Sequence, residues 1–176
     1  MDDVTLIQIR SIDGQSEAEA CACLMAASEP WITLRRDYRA ALKIITDASR
    51  EVYVAVGAEM IRGFVVLVMQ GAFTGYIQSV CVDAEWRGQG IGSRLIQFAE
   101  QRILSVTPNV FLCVSSFNPA ARRLYQRMGY EVIGELKDYI VPGYSEILMR
   151  KSIGPLPEFA SQTQRMIANP DLHIEK

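Results

Sequence analysis

Ser79-Val80-Cys81-Val82-Asp83-Ala84-Glu85-Trp86-Arg87-Gly88-Gln89-Gly90-Ile91-Gly92-Ser93 runs from a β-branched apolar segment into a charged, glycine-dense turn. Beyond it, Leu95, Phe98, Ala99 and Ile103 recur at helical spacing. The stretch therefore reads as strand, turn, helix. That unit is a general device for holding phosphate. The first N–H groups of a helix lack internal partners, the helix dipole favours negative charge there, and glycine lets the backbone approach a ligand closely. Three glycines fall within residues 88–92, each with an entropic cost on folding. Their density points to a ligand rather than to a plain helix start. Arg87 adds a forked donor suited to phosphate oxygens.

Two common nucleotide motifs fit poorly. A Walker A loop needs a lysine followed by Ser or Thr after its last glycine, and no lysine occupies that place. A dinucleotide fingerprint needs Gly-x-Gly-x-x-Gly, but Ser93 stands where the last glycine belongs, and no acid follows about 20 residues on to take a ribose.

Working outward, residues 4–10 alternate as a first strand, and residues 16–46 read as two helices broken near Glu29-Pro30. Residues 51–56 and 61–70 suggest a hairpin, and residues 76–82 a further strand. After the glycine turn and its helix, residues 110–114 form a short buried strand. Asn118-Pro119 opens another helix, with Asn as N-cap and Pro at the first helical position. Ala121, Leu124, Tyr125 and Met128 give this helix its apolar face, and Gly129 ends it. Residues 130–136 and 144–150 read as a final antiparallel pair. Residues 152–176 hold Pro155, Pro157 and Pro170 with little periodicity. They form a tail with a short helix over 158–167, either a loose terminus or a contact in a possible homodimer.

Arg87, Gly90 and Gly92 realise the pattern Arg-x-x-Gly-x-Gly, preceded by Ser79-Val80-Cys81-Val82. Asn118-Pro119-Ala120-Ala121-Arg122-Arg123-Leu124-Tyr125 follows, running into Met128-Gly129-Tyr130. In that order these features resemble the GCN5-related N-acetyltransferase (GNAT) superfamily over residues 4–151, most specifically over 76–130. The resemblance implies an acetyltransferase domain over 1–151. Its fold would be three-layer α/β/α, with a mixed, mostly antiparallel sheet of six to seven strands and helices on both faces.

It further implies acetyl-CoA as cosubstrate and a primary amine of a small molecule or peptide as acceptor, attacking the thioester directly. Val80, Cys81 and Val82 would pair by their backbone with the pantetheine arm. Arg87, Gly88, Gln89, Gly90, Ile91, Gly92 and Ser93 would wrap the pyrophosphate. Asn118 would combine its cap with a cofactor contact. Tyr125 would protonate the departing thiolate, and the N–H of Val80 or Cys81 would hold the oxyanion. Many relatives place a glutamate base on the splayed strands. Neither Tyr76-Ile77-Gln78-Ser79 nor Phe111-Leu112-Cys113-Val114 has a carboxylate, which leaves Glu29, Asp138 and Glu146 as candidates in flanking segments. That gap also keeps a non-catalytic acyl-CoA-binding module as the rival reading. Trp31, Tyr38, Tyr139 and Tyr144 could line the acceptor pocket.

Composition narrows the remaining classes. The chain has 176 residues, 49% of them apolar, so one domain can bury a full core without disulfides or metal. Its 18 basic and 20 acidic residues leave a net charge of -2, which gives no case for nucleic acid as a bulk partner. Cys21, Cys23, Cys81 and Cys113 match no zinc spacing, and the single histidine is His173. The cysteines read as small buried hydrophobes of a reducing compartment, and a covalent role for Cys81 stands well behind direct attack. The start MDDVTLIQIR carries no signal pattern and no run reaches the ~20 apolar residues of a membrane span, so the expectation is a cytoplasmic protein with no membrane partner.

Overall fold

The computed structural model describes residues 7–159. Within them the chain runs β1 (Gln8–Ser11), α1 (Gly14–Ala26), α2 (Tyr38–Ile45), β2 (Arg50–Gly57), β3 (Met60–Val68) and β4 (Tyr76–Val82). It continues through α3 (Ile91–Leu104), β5 (Asn109–Ser115), α4 (Pro119–Arg127), β6 (Glu131–Leu136) and β7 (Glu146–Ser152). Residues 4–6 of the expected first strand, and the tail beyond residue 159, lie outside the described residues. The seven strands form one open sheet in the order β1-β2-β3-β4-β5-β7-β6. All neighbours are antiparallel except β4 and β5.

A helical layer covers each face, and the period-two alternation of the central strands explains why. On β3, Val65 and Leu67 point to one side, where Leu95, Ile96, Ala99 and Ile103 of α3 cover them. Phe64 and Val66 point to the other, beneath Cys21, Ala22 and Met25 of α1 and Ala41 and Ile45 of α2. A strand buried on both faces reads as a continuous apolar run, as Phe64-Val65-Val66-Leu67-Val68 does.

β4 and β5 pair at only two positions, Tyr76↔Phe111 and Ile77↔Leu112. Two features end the pairing. The register between β3 and β4 steps from Val66↔Ser79 to Leu67↔Ile77, which leaves Gln78 as an extra residue; such a bulge bends its strand and adds twist. β5, meanwhile, is held along its whole length by β7, from Asn109↔Ser152 to Ser115↔Glu146. A gap therefore opens between the C-terminal halves of β4 and β5.

The pairing pattern tells which main-chain groups face this gap. The Asp83 N–H donates to the Arg62 carbonyl at 2.9 Å. Hydrogen-bonded and non-bonded pairs alternate along an antiparallel ladder. Cys81, opposite Phe64, therefore bonds to β3, while Val80 and Val82 turn their N–H and C=O toward the gap.

Gly75 fixes the closed end of the gap. Its carbonyl accepts from the Phe111 N–H at 2.9 Å, and its φ is +89°. A Cβ there would lie 2.6 Å from the Asn109 carbonyl oxygen and 2.6 Å from the Ile103 Cγ2. Gly75→Ala should cost on the order of 3 kcal/mol, combining left-handed strain with overpacking. Urea unfolding of the two proteins checks this, and equal midpoints would contradict it.

Candidate active site at the splayed strands

The glycine turn sits at the open end of the gap. A 3-10 turn over Ala84–Trp86 leads out of β4, capped by Asp83, whose carboxylate accepts from the Glu85 N–H. Gly88 and Gly90 hold φ of 75° and 84°, a region that favours glycine. A Cβ at either would meet nothing within 4 Å, so the space beside the turn is open. α3 has no side-chain cap. Its first main-chain bond runs from the Arg94 N–H to the Gly90 carbonyl at 3.0 Å. The N–H groups of Ile91, Gly92 and Ser93 thus stand ahead of it without helical partners, at the positive end of the helix dipole.

A cavity of about 550 Å3 joins this turn to β4 and α4, lined by Val80, Cys81, Val82, Arg87, Gly88, Gly90, Ile91, Gly92, Ser93 and Asn118 among others. Gln89 lies outside it and braces the turn by donating to the Glu85 carbonyl at 3.2 Å. Arg87 lines it, but its guanidinium is already engaged. Nε donates to the Val82 carbonyl at 3.0 Å and Nη2 to the Ser28 hydroxyl at 3.2 Å.

A second cavity of about 260 Å3 lies between β4, β5 and the segment after α1. Glu29, Trp31, Val80, Asn118, Ala121 and Tyr125 line both cavities, so the two meet there. Asn118 caps α4, its Oδ1 accepting from the Ala121 N–H at 3.1 Å, while still lining both spaces. Tyr125 is two helical turns further on. Its ring packs edge-on against Tyr130 at 5.8 Å, and burial pushes its hydroxyl up to about 12.

Of the carboxylates expected near the acceptor, two reach the second cavity. Glu29 is exposed at the rim and bonds to Thr33. Glu146 is 5% exposed, and its Oε1 accepts from the Ser115 hydroxyl at 2.6 Å. Burial raises its pKa, opposed by the Ser115 bond and by the Arg36 guanidinium. Asp138 is absent from the cavity; its carboxylate accepts from the Gly143 N–H at 2.7 Å and shapes the loop before β7. Among the expected aromatics, Trp31 and Tyr139 line the cavity. Tyr38 starts α2, 38% exposed, and Tyr144 packs on Phe117 at 4.8 Å instead. Tyr76 and Arg36 line the cavity as well, and the sequence reading did not place them there. Tyr76 belongs to the splayed strand, which was the available signal. Arg36 belongs to the 28–39 segment, which the family resemblance places beside the acceptor.

The cysteine expectation needs one correction. All four are free thiols; Cys21 and Cys81 are buried and Cys113 half-buried, but Cys23 is exposed, because two helical residues on from Cys21 it faces away from the sheet. Burial pushes the Cys21 thiol up to about 12 and the Cys81 thiol up to about 11, which makes Cys81 a poor nucleophile. Iodoacetamide at pH 8 should alkylate Cys23 first and leave Cys21 and Cys81 intact in the native protein. Peptide mass mapping reads this, and rapid labelling of Cys81 would contradict it.

Residues 17–130 match the model of the acetyltransferase (GNAT) family. The chain is 32% identical over 97 residues to N-acetylaspartate synthetase of Danio rerio, covering 46% of this chain and 33% of that protein. It is 35% identical over 78 residues to blasticidin-S acetyltransferase of Streptomyces morookaense, covering 44% and 57%. The match thus spans between a third and somewhat over half of these relatives' length. In three dimensions, the crystal structure of an aminoglycoside 6'-N-acetyltransferase complexed with coenzyme A superposes with a TM-score of 0.70 at 19% identity, covering 85% of this chain and 99% of that one. With the family matched over most of its length and the seven-stranded fold shared, the chain belongs to the GNAT family of acetyltransferases.

Proposed function

We propose that this protein transfers an acetyl group from acetyl-CoA to a primary amine of a small molecule, by direct attack of the amine on the thioester. The observation that carries this reading is Tyr125 at the junction of two cavities, one running along β4 to the glycine turn and the open end of α3, the other lying between β4, β5 and the segment after α1. The relatives' names fit an amine acceptor: one makes N-acetylaspartate and another acts on blasticidin S.

The site suits acetyl-CoA from its pyrophosphate to its thioester. The free N–H groups of residues 91–93 and the open glycine turn suit a pyrophosphate. Val80, with its N–H and C=O turned to the gap, and the N–H of Val82 supply the pairing that pantetheine amides need. Arg87 holds the Val82 carbonyl in place, so its contribution is to position β4, and the pyrophosphate is left to the backbone. The thioester then lies beside Val80 and Tyr125. Of the two oxyanion donors expected, the Val80 N–H faces the gap, whereas the Cys81 N–H is turned to β3.

The chemistry then balances. The neutral amine nitrogen bonds the acetyl carbon, and the carbonyl oxygen takes up negative charge next to the Val80 N–H. The C–S bond breaks with its electron pair on sulfur, and the Tyr125 hydroxyl protonates that sulfur. The proton released from nitrogen as the amide forms restores Tyr125. Because burial holds this hydroxyl near 12, it stays protonated through the ordinary tyrosine range around ~10. The pH–rate profile should show no alkaline loss there.

Tyr125→Phe tests the reading. It should lower kcat by roughly 10²- to 10⁴-fold while acetyl-CoA affinity is retained, with release of free CoA thiol as the assay. A variant with full activity would remove Tyr125 from the chemistry. A wild-type protein that binds acetyl-CoA and acetylates no amine would instead favour a binding module.

A further inference from the structure

Two opposite charges face the second cavity without touching each other. Glu146 opens β7 and is the register partner of Ser115 on β5. Its Oε1 takes the Ser115 hydroxyl at 2.6 Å, and its Oε2 accepts no hydrogen bond from any described residue. Arg36 follows the bend after α1 and reaches the same cavity. Its guanidinium makes no hydrogen bond or ion pair with any described residue, yet it couples electrostatically to Glu146. One oxygen of the carboxylate is held by a hydroxyl and the other is left open to the cavity for a cationic group, and an unpaired guanidinium offers a fork shaped for a carboxylate. Between them lies a space of about 260 Å3, walled by Trp31, Tyr76 and Tyr139.

We infer that the acceptor is a zwitterion of the α-amino-acid type, its ammonium held by Glu146, its carboxylate by Arg36, and its side chain by the aromatic wall. This rests on the acetyl-transfer reading above and names the substrate class of that site. It also fills the missing role of base. The bound ammonium passes one proton to Glu146, which later returns it to solvent, and the neutral nitrogen attacks as described.

Other groups around Glu146 do not compete for that role. Cys113 on β5 and Tyr76 on β4 line the same cavity, and burial raises both above their ordinary values, so they stay protonated at neutral pH. Tyr125, on α4, is likewise raised by burial, Tyr139 reaches the cavity from the loop before β7, and Glu29 sits exposed at the rim. Arg36 is the cation that couples to Glu146. Burial outweighs its effect, so the acid limb of the pH–rate profile should lie above the ordinary carboxylate range, with activity lost as pH falls through it.

The test pairs phenylalanine, leucine and methionine with the amines that lack their carboxylates. Turnover is followed by CoA release, and binding to the CoA-loaded protein by calorimetry. Wild type should prefer the amino acids by about ten-fold or more in kcat/KM. Arg36→Gln should erase that preference chiefly through KM, and Arg36→Lys should restore part of it. Glu146→Gln should lower kcat and remove the acid limb. Amines that serve as well as amino acids, a preference unchanged in Arg36→Gln, or no binding by any of the three amino acids would overturn the inference. Binding that follows the carboxylate without any turnover would uphold the anchor pair and remove the transfer reading. Turnover blind to the carboxylate would do the reverse.

Discussion

The short parallel contact between β4 and β5 sets the whole site. Two paired positions, Tyr76↔Phe111 and Ile77↔Leu112, hold the strands together at one end. Beyond them the Gln78 bulge bends β4 away while β7 keeps β5 straight. Main-chain groups inside a sheet are ordinarily paired with the neighbouring strand. Here those of Val80 and the Val82 N–H are left without a strand partner, the Val82 carbonyl being taken by Arg87, and the splay also aims the N-terminus of α3 at the mouth of the same gap. One distortion therefore yields the slot, its unpaired main-chain edge and the open helix end at its mouth. Gly75, crowded by Asn109 and Ile103, keeps the strands joined where the splay begins.

Charge placement adds the second layer. Glu146 carries its charge in a buried position with Ser115 as its hydrogen-bond partner. Its folded-state pKa is raised, so the folded state binds that proton more tightly than the unfolded chain does. The stabilisation this gives is complete below the ordinary carboxylate range and is lost as pH rises through the raised value. At neutral pH the site thus costs stability, as functional sites commonly do. The hydrophobic layers on the two sheet faces carry the fold in spite of that cost.

Much of this was legible in the residues. Glycines at 88, 90 and 92 after a β-branched strand marked the open turn that leads into α3, because glycine density has a local conformational meaning. Asn118-Pro119 fixed the start of α4, and with it the place of Tyr125. The strand Tyr76–Val82 was readable from its alternation. The acceptor side was less legible, since it is assembled from residues far apart in sequence. Glu146 and Ser115 meet only through the register of β7 on β5. Arg36 reaches the cavity from an irregular segment without periodicity. Asp138 belonged to the right loop but spends its carboxylate on the Gly143 N–H, and Cys81 faces β3 by a parity that only the ladder reveals.

The central claim is that the open helix end beside Gly90 holds the pyrophosphate of CoA. Calorimetry with acetyl-CoA, CoA, ATP and NAD on wild type and on Gly90→Glu tests it most directly, because the variant sets a carboxylate in the space where that anion would lie. The account predicts that acetyl-CoA and CoA bind wild type, that ATP and NAD do not, and that the variant loses both CoA ligands. Failure of acetyl-CoA to bind wild type, or equal binding by Gly90→Glu, would contradict it.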